Sequence, residues 1–358
     1  MKIIKLLTIT LSSTLLFTSC CRENLQTEIP ASTYDNGTLI LNQGGFGNGN
    51  ASISYLSNDF TVQKNNIFAT ANPSITLGDT AQDIGFYQNY AFIVVNNSNK
   101  IEIVNRYTMG YVATISGGLN NPRYIAFYNG KGYVTNWGFG SNPSDDFVAV
   151  IDLANYTVTN TISVLEGPEK IISSNGKLYV AQAGGFNFGN KISIINPDTN
   201  IVQGTIDVGD VPNSIIDYNN TLYVLCSGKP NYAPVETPGK LVTINLSSNT
   251  VSSTLDFPAN THPANLDILI NSMYYTVNSS VYKTTLGATM LPTTSLFSVA
   301  PQGVNSIYSF ALNFKNNTIY VGDAGDFNSN GKIYVYNSSG NLIHSSIVGI
   351  IPAGFYFN

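Results

Sequence analysis

The sequence predicts an all-β fold: a seven-bladed β-propeller whose C-terminal strand closes the first blade. Three observations predict it. A β motif recurs seven times, the same order of strand and turn signals follows most copies, and the chain ends on a strand pattern with no partner nearby in sequence.

The motif is an alternating run of aromatic and β-branched residues, as in Lys131-Gly-Tyr-Val-Thr135, Lys177-Leu-Tyr-Val-Ala181 and Thr318-Ile-Tyr-Val-Gly322. Its centres are Leu39, Phe92, Tyr133, Tyr179, Tyr223, Tyr274 and Tyr320, spaced 53, 41, 46, 44, 51 and 46 residues apart. A second alternating run comes next, for example Lys100-Ile-Glu-Ile-Val104 or Lys191-Ile-Ser-Ile-Ile195. A turn rich in Asn, Asp, Ser and Gly follows, then a third strand, then a short loop into a strand that often begins Pro-x-x-Ile. Four short strands per unit of about 45 residues is the pattern of a propeller blade. A β-solenoid would have shorter rungs and no use for the terminal Pro352-Ala-Gly-Phe-Tyr-Phe357 run. That run is expected to supply the strand the first unit lacks, so that no sheet edge is left open. No helical periodicity is read in the repeat region.

The N-terminus bears on compartment. Lys2 and Lys5 precede an apolar run from Leu6 to Phe17, too short to span a bilayer, and Thr18-Ser19 place small residues before Cys20. The reading is a signal peptide over 1–19, lipidation at Cys20, a flexible polar tether over 20–37 and the propeller over 38–358. A lipid anchor of this kind implies attachment to a membrane.

Composition narrows the partners. Charged residues are 10% of the chain and the formal net charge is -5, which excludes the basic footprint of a nucleic-acid binder. Beyond Cys20 and Cys21 the only cysteine is Cys226, in a strand pattern, so a buried thiol is expected and a disulfide framework is not. The two histidines, His262 and His344, fall in different units and offer little to a zinc site or a Ser-His-Asp triad. No enzyme is expected.

Two sets of loops fall on one face of a propeller. The loops inside blades carry aromatic residues at glycine-rich tips: Phe46, Trp137 and Phe139, Phe186 and Phe188, and Tyr232. Turns need glycine and asparagine but not exposed rings, so these residues are candidate ligand contacts. The loops between blades are expected to form a ring at the channel mouth: Gln82-Asp83, Arg123-Tyr124, Glu169-Lys170, Asn213-Ser214, Ala264-Asn265, Asn305-Ser306 and Ala353-Gly354. From this ring Arg123, Tyr124, Asn213 and Asn305 are candidate ligand contacts, with Arg123, Asn213 and Asn305 expected to hydrogen-bond the ligand's rim. Amides both donate and accept, which suits a ligand rich in amides or hydroxyls. One metal motif stands out: Asp326, Asn328 and Asn330 before Gly331 match the start of a calcium loop, although Asn337 stands where its final Glu would be. Calcium is therefore a candidate ion, against the alternative of a plain turn.

The recurring Tyr-Val-Thr/Ala lines and Asn-rich turns resemble YVTN-type propellers over the whole span after the tether. Leu39 to Tyr55, Val94 to Ile103, Pro122-Arg-Tyr-Ile125 and Val348 to Phe357 are similar to one branch, the BtuG-type surface cobalamin-binding lipoproteins. The resemblance implies a corrinoid ligand on the loop face, passed to a TonB-dependent outer-membrane transporter, with no cofactor required. Two other readings stay open: a non-catalytic scaffold for a protein or glycan partner, and a calcium-dependent propeller hydrolase.

Overall fold

The computed structural model describes residues 33–358, which form seven four-stranded antiparallel sheets arranged in a ring. The signal peptide, Cys20 and most of the expected tether lie outside the described residues. The tether was expected to run to residue 37, but the chain packs earlier. Tyr34 is only 5% exposed, its ring lies tilted against Tyr55 with centres 5.3 Å apart, and its carbonyl accepts a hydrogen bond from Asn358 Nδ2.

The innermost strands, in ring order, are Pro352–Phe357, Ala81–Tyr87, Pro122–Tyr128, Pro168–Ser174, Pro212–Tyr218, Ala264–Leu269 and Ser309–Asn313. Each of the last six continues outward through the strands that follow it in sequence, as in Pro168–Ser174, Lys177–Gln182, Lys191–Asn196 and Ile201–Asp207 of blade four. Blade one is assembled from both ends. Pro352–Phe357 pairs antiparallel with Gly37–Asn42, with Ile40 opposite Phe355 and Thr38 opposite Phe357. The terminal strand thus closes the ring, as the sequence predicts.

Burial explains the motif. The second strand of each blade lies between its neighbours and is shielded on both faces, so both sets of alternating residues are apolar. Seven apolar clusters form, one between each pair of adjacent blades; Tyr133, Val148, Ile171 and Leu178 bind blade three to blade four in this way. Asparagine serves the turns. Asn196 Oδ1 accepts from the Asp198 and Thr199 amides, Asn245 repeats the arrangement with Ser247 and Ser248, and Asn200 and Asn249 adopt left-handed backbone at the ends of those turns. Polar groups also tie inner strands together across blades. Asp83 Oδ2 accepts from the Ile125 amide, and Asp267 Oδ2 accepts from the Leu312 amide.

Two blades depart from the repeat. Blade one has a two-residue outer strand, Gln63–Lys64, followed by a five-residue helix, Ile67–Ala71, which the sequence periodicity did not reveal. The helix buries Ile67 and Phe68 where outer-strand residues would pack. Blade six also has a two-residue outer strand, Phe297–Ser298, reached by a long irregular segment after Ser280–Thr285.

Candidate functional site

The loop face carries three adjoining cavities. The central one, ≈ 460 Å³, is the channel mouth and is lined by Gln43, Gln82, Arg123, Tyr124, Lys170 and Asn265 among others. It shares Glu169 and Asn213 with a cavity of ≈ 360 Å³ walled by Trp137, Phe188, Tyr232 and His262. On its other side it shares Asn265 and Tyr308 with a cavity of ≈ 460 Å³ that reaches Asn305, Asp323 and Phe327. Together they make a trough across the face.

The inner strands position the central groups. Arg123 follows Pro122 at the start of the third inner strand, and Glu169 follows Pro168 at the start of the fourth. Arg123 Nε lies 2.9 Å from Glu169 Oε2, and its Nη2 lies 2.8 Å from Oε1. The guanidinium also sits 4.0 Å from the centre of the Trp137 ring. Such a fork-on-carboxylate pair is rigid, and it fixes the indole that forms one wall of the trough. Next in the ring, Lys170 Nζ lies 3.8 Å over the Tyr124 ring, and Tyr124 Oη accepts from Gln82 Nε2 at 2.9 Å. Below them Asp83 is held by the Tyr356 hydroxyl at 3.0 Å, and burial pushes its carboxyl above the usual range.

The aromatic loops are also anchored. Asp145 accepts from the Phe139 amide through both oxygens, and Asp146 Oδ2 accepts from Gly167 N at 2.5 Å. Burial pushes the Asp146 carboxyl up to about 6. Gly167 has a positive φ of 66°, and a Cβ there would lie 1.9 Å from Gly185 N. Only glycine therefore lets the loop between blades three and four pass the aromatic loop of blade four. His262 joins the loops of blade five: its Nδ1 lies 2.8 Å from the Ser227 carbonyl and its Nε2 3.1 Å from Glu236 Oε1.

Of the residues singled out from the sequence, Arg123, Tyr124, Trp137, Phe188, Asn213 and Tyr232 come together along the trough. Their roles differ from expectation in two cases. Arg123 is engaged by Glu169, and Asn213 Nδ2 donates to the Pro263 carbonyl at 2.9 Å, so both brace the ring as well as face it. Phe186 is one ring removed: it packs edge-on against Trp137 at 5.7 Å and lines none of the three cavities. Phe46 and Phe139 also lie outside them, 77% and 67% exposed.

Asn305-Ser306 is corrected. The seventh inner strand begins at Ser309, four residues later than the aligned column implied, so Tyr308 and Phe310 take the place at the channel mouth. Asn305 lines the third cavity instead. The connector from blade six is longer there and includes a 3-10 turn at Ala300–Gln302, and no Pro-x-x-Ile signal marks the strand. Tyr308 was missed for the same reason. Its hydroxyl donates to Gln43 Oε1 at 2.5 Å, linking blades seven and one across the mouth.

The calcium-like loop closes on itself. Asp326 Oδ1 accepts from the Asn328 and Ser329 amides and Oδ2 from the Ser329 hydroxyl, while Asp323 Oδ1 accepts from Gly325 N. The described residues hold no cluster of three or more His, Cys, Asp or Glu suited to a metal. Asp326 thus caps its own turn, and Asn328 Nδ2 donates to the Asp326 carbonyl at 2.9 Å.

Residues 36–358 match the model of a family described as "Domain of unknown function (DUF5074)". None of the curated proteins matches the chain. Among solved structures it is similar to a quinonprotein alcohol dehydrogenase-like protein from Bacteroides thetaiotaomicron, at 16% identity and a TM-score of 0.68, covering 90% of this chain and 78% of that one. It is also similar to a functionally unknown protein from Desulfotomaculum acetoxidans, at 14% identity and a TM-score of 0.63, covering 90% and 98%. Likeness at such identities speaks to the fold alone.

Proposed function

We propose that this chain, which belongs to the DUF5074 family, is a non-catalytic binding protein that holds a corrinoid of the cobalamin type in its loop-face trough and passes it to a TonB-dependent outer-membrane transporter. The observation that carries this reading is the trough: three cavities that share residues, walled by Trp137, Phe188 and Tyr232 and floored by amides, hydroxyls and the charged groups of Arg123, Glu169 and Lys170. A corrinoid is a broad, flat ring with an apolar edge and many amide arms. Aromatic walls suit its faces, and a mixed donor and acceptor floor suits its arms. The lipobox-like Cys20 supports a lipid anchor that keeps the domain beside a membrane.

Phe46, Phe139 and Phe186 are exposed on the same face yet outside the cavities, which leaves them for a protein partner. Exposed rings grouped on one face are a usual feature of a docking surface, and the transporter is the partner in this reading. The scaffold reading differs in one respect: it keeps the partner and drops the small molecule.

The test is calorimetric titration of the purified protein with cyanocobalamin, followed by gel filtration to look for co-eluting colour. Saturable heat and a co-eluting corrinoid are expected. Absence of both, with a transporter still captured, would favour the scaffold.

A further inference from the structure

A further cavity of ≈ 730 Å³ lies on the flank of the ring between blades five and six and shares no lining residue with the trough. It exists because blade six is incomplete. Blade five presents a seven-residue outer strand, Thr250–Asp256, whereas blade six pairs only Phe297–Ser298 against Ser280 and Val281. The segment between Thr285 and Phe297 makes no strand and instead forms one wall through Thr289, Met290, Leu291 and Pro292.

The inner wall is aromatic. Tyr275 and Tyr282 stack almost parallel, 5.4 Å apart at 2°, and Phe257 meets Tyr275 edge-on at 5.2 Å. Tyr275 is 1% exposed, and Tyr282 is the ring of the pair that stays partly exposed in the cleft. The remaining polar groups are hydroxyls of Thr254, Thr289 and Thr293 and the carboxylate of Asp256, whose Oδ1 pairs with Lys240 Nζ at 2.6 Å. Among the described residues, no Lys, Arg or His lines the cleft.

We propose that this cleft is a binding site for a neutral pyranose ring of a glycan. The Tyr282 ring, stacked on Tyr275, offers its face to the apolar C–H side of a sugar ring, while hydroxyls and a carboxylate oxygen meet its equatorial hydroxyls. The absence of a cation disfavours phosphate and carboxylate ligands. The volume falls in the range of about 300–1,000 Å³ that encloses small ligands. The assignment does not draw on the loop-face reading and stands or falls separately.

The test is saturation-transfer NMR on the full protein with the methyl glycosides of glucose, galactose, mannose and N-acetylglucosamine. Transfer to the ring C–H protons of at least one sugar is expected. Tyr282→Ala removes the stacking face and is expected to weaken that sugar at least tenfold. Leu291→Trp fills the cleft from its outer wall, with the same loss, and serves if Tyr282→Ala does not fold. No transfer to any of the four sugars overturns the proposal. So does equal transfer in both variants, or transfer to indole in place of sugar.

Discussion

Arg123 and Glu169 meet through two parallel hydrogen bonds of 2.9 and 2.8 Å, and this contact ties the third inner strand to the fourth at the channel mouth. The same guanidinium lies over the Trp137 ring, 4.0 Å from its centre. One ion pair therefore braces two blades and orients the largest ring of the trough. Both side chains are 14% exposed, so removing one partner leaves a largely desolvated charge. Glu169→Ala is expected to lower stability by about 3 kcal/mol, and Glu169→Gln, which keeps one acceptor, by less. Urea denaturation measures both. An unchanged midpoint for Glu169→Ala would show that the pair contributes nothing.

Closure of the ring gives a second prediction. Phe355 is buried against Ile40 and Tyr320, joining blades one and seven. Phe355→Ala is expected to destabilise by about 3–5 kcal/mol. Ending the chain at Ile351 removes the whole inner strand of blade one and leaves the Gly37–Asn42 edge unpaired. Aggregated or unfolded protein is the expected product, judged by circular dichroism and sedimentation. A folded monomer would mean that closure does not need the terminal strand.

The trough residues can be separated from the scaffold. Tyr232 is 82% exposed, so Tyr232→Ala is expected to leave the melting temperature unchanged. Its effect should appear only in corrinoid affinity, at about tenfold, equivalent to about 1.4 kcal/mol of lost contact. Trp137→Ala should lower affinity further and, through the lost Arg123 contact, stability as well. Calorimetry and thermal melts together check the pair, and wild-type affinity in both variants would remove the aromatic wall from the site.

Stability should depend on pH in a defined direction. Burial pushes the carboxyls of Asp146 and Asp267 up to about 6 from an ordinary value of 3.8. A raised value means that the folded chain holds the proton more tightly than the unfolded chain. The stabilisation is complete below 3.8 and is lost as pH rises through 6. Asp59 and Asp326 act in the opposite sense: hydrogen bonds lower their carboxyls, and their contribution is lost as pH falls below the ordinary range. The melting temperature should therefore peak near pH 4–5 and decline toward neutrality. Asp146→Asn, which keeps an acceptor for Gly167 N, should flatten the decline. An equal slope in the variant would assign the effect elsewhere.

The anchor is tested by Cys20→Ser, which removes the acylated thiol in the lipoprotein reading. The variant is expected to leave the detergent phase on temperature-induced partitioning and to lose palmitate labelling. Retention of both would place the membrane attachment elsewhere.

The sequence by itself determined the repeat and its closure. Spacings near 45 residues, alternating apolar strands and Asn-rich turns are local signals, and each is written in a few consecutive residues such as Lys177 to Asn200. The terminal Pro352–Phe357 strand was legible because a repeat protein lacks one strand in one unit and has one to spare at its end. The aromatic loop tips were legible as candidates for the same local reason, and Trp137, Phe188 and Tyr232 do line one trough. Tertiary structure decided the rest. The Arg123–Glu169 pair joins residues 46 positions apart, and the Tyr308–Gln43 bond joins residues 265 apart. The seventh inner strand slipped four residues because a longer connector follows the truncated sixth blade, and that same truncation opened the flank cleft. Strand formation follows from alternation along the chain. Which side chains face each other across blades follows from how the ring packs, and packing compares residues that the chain order never places side by side.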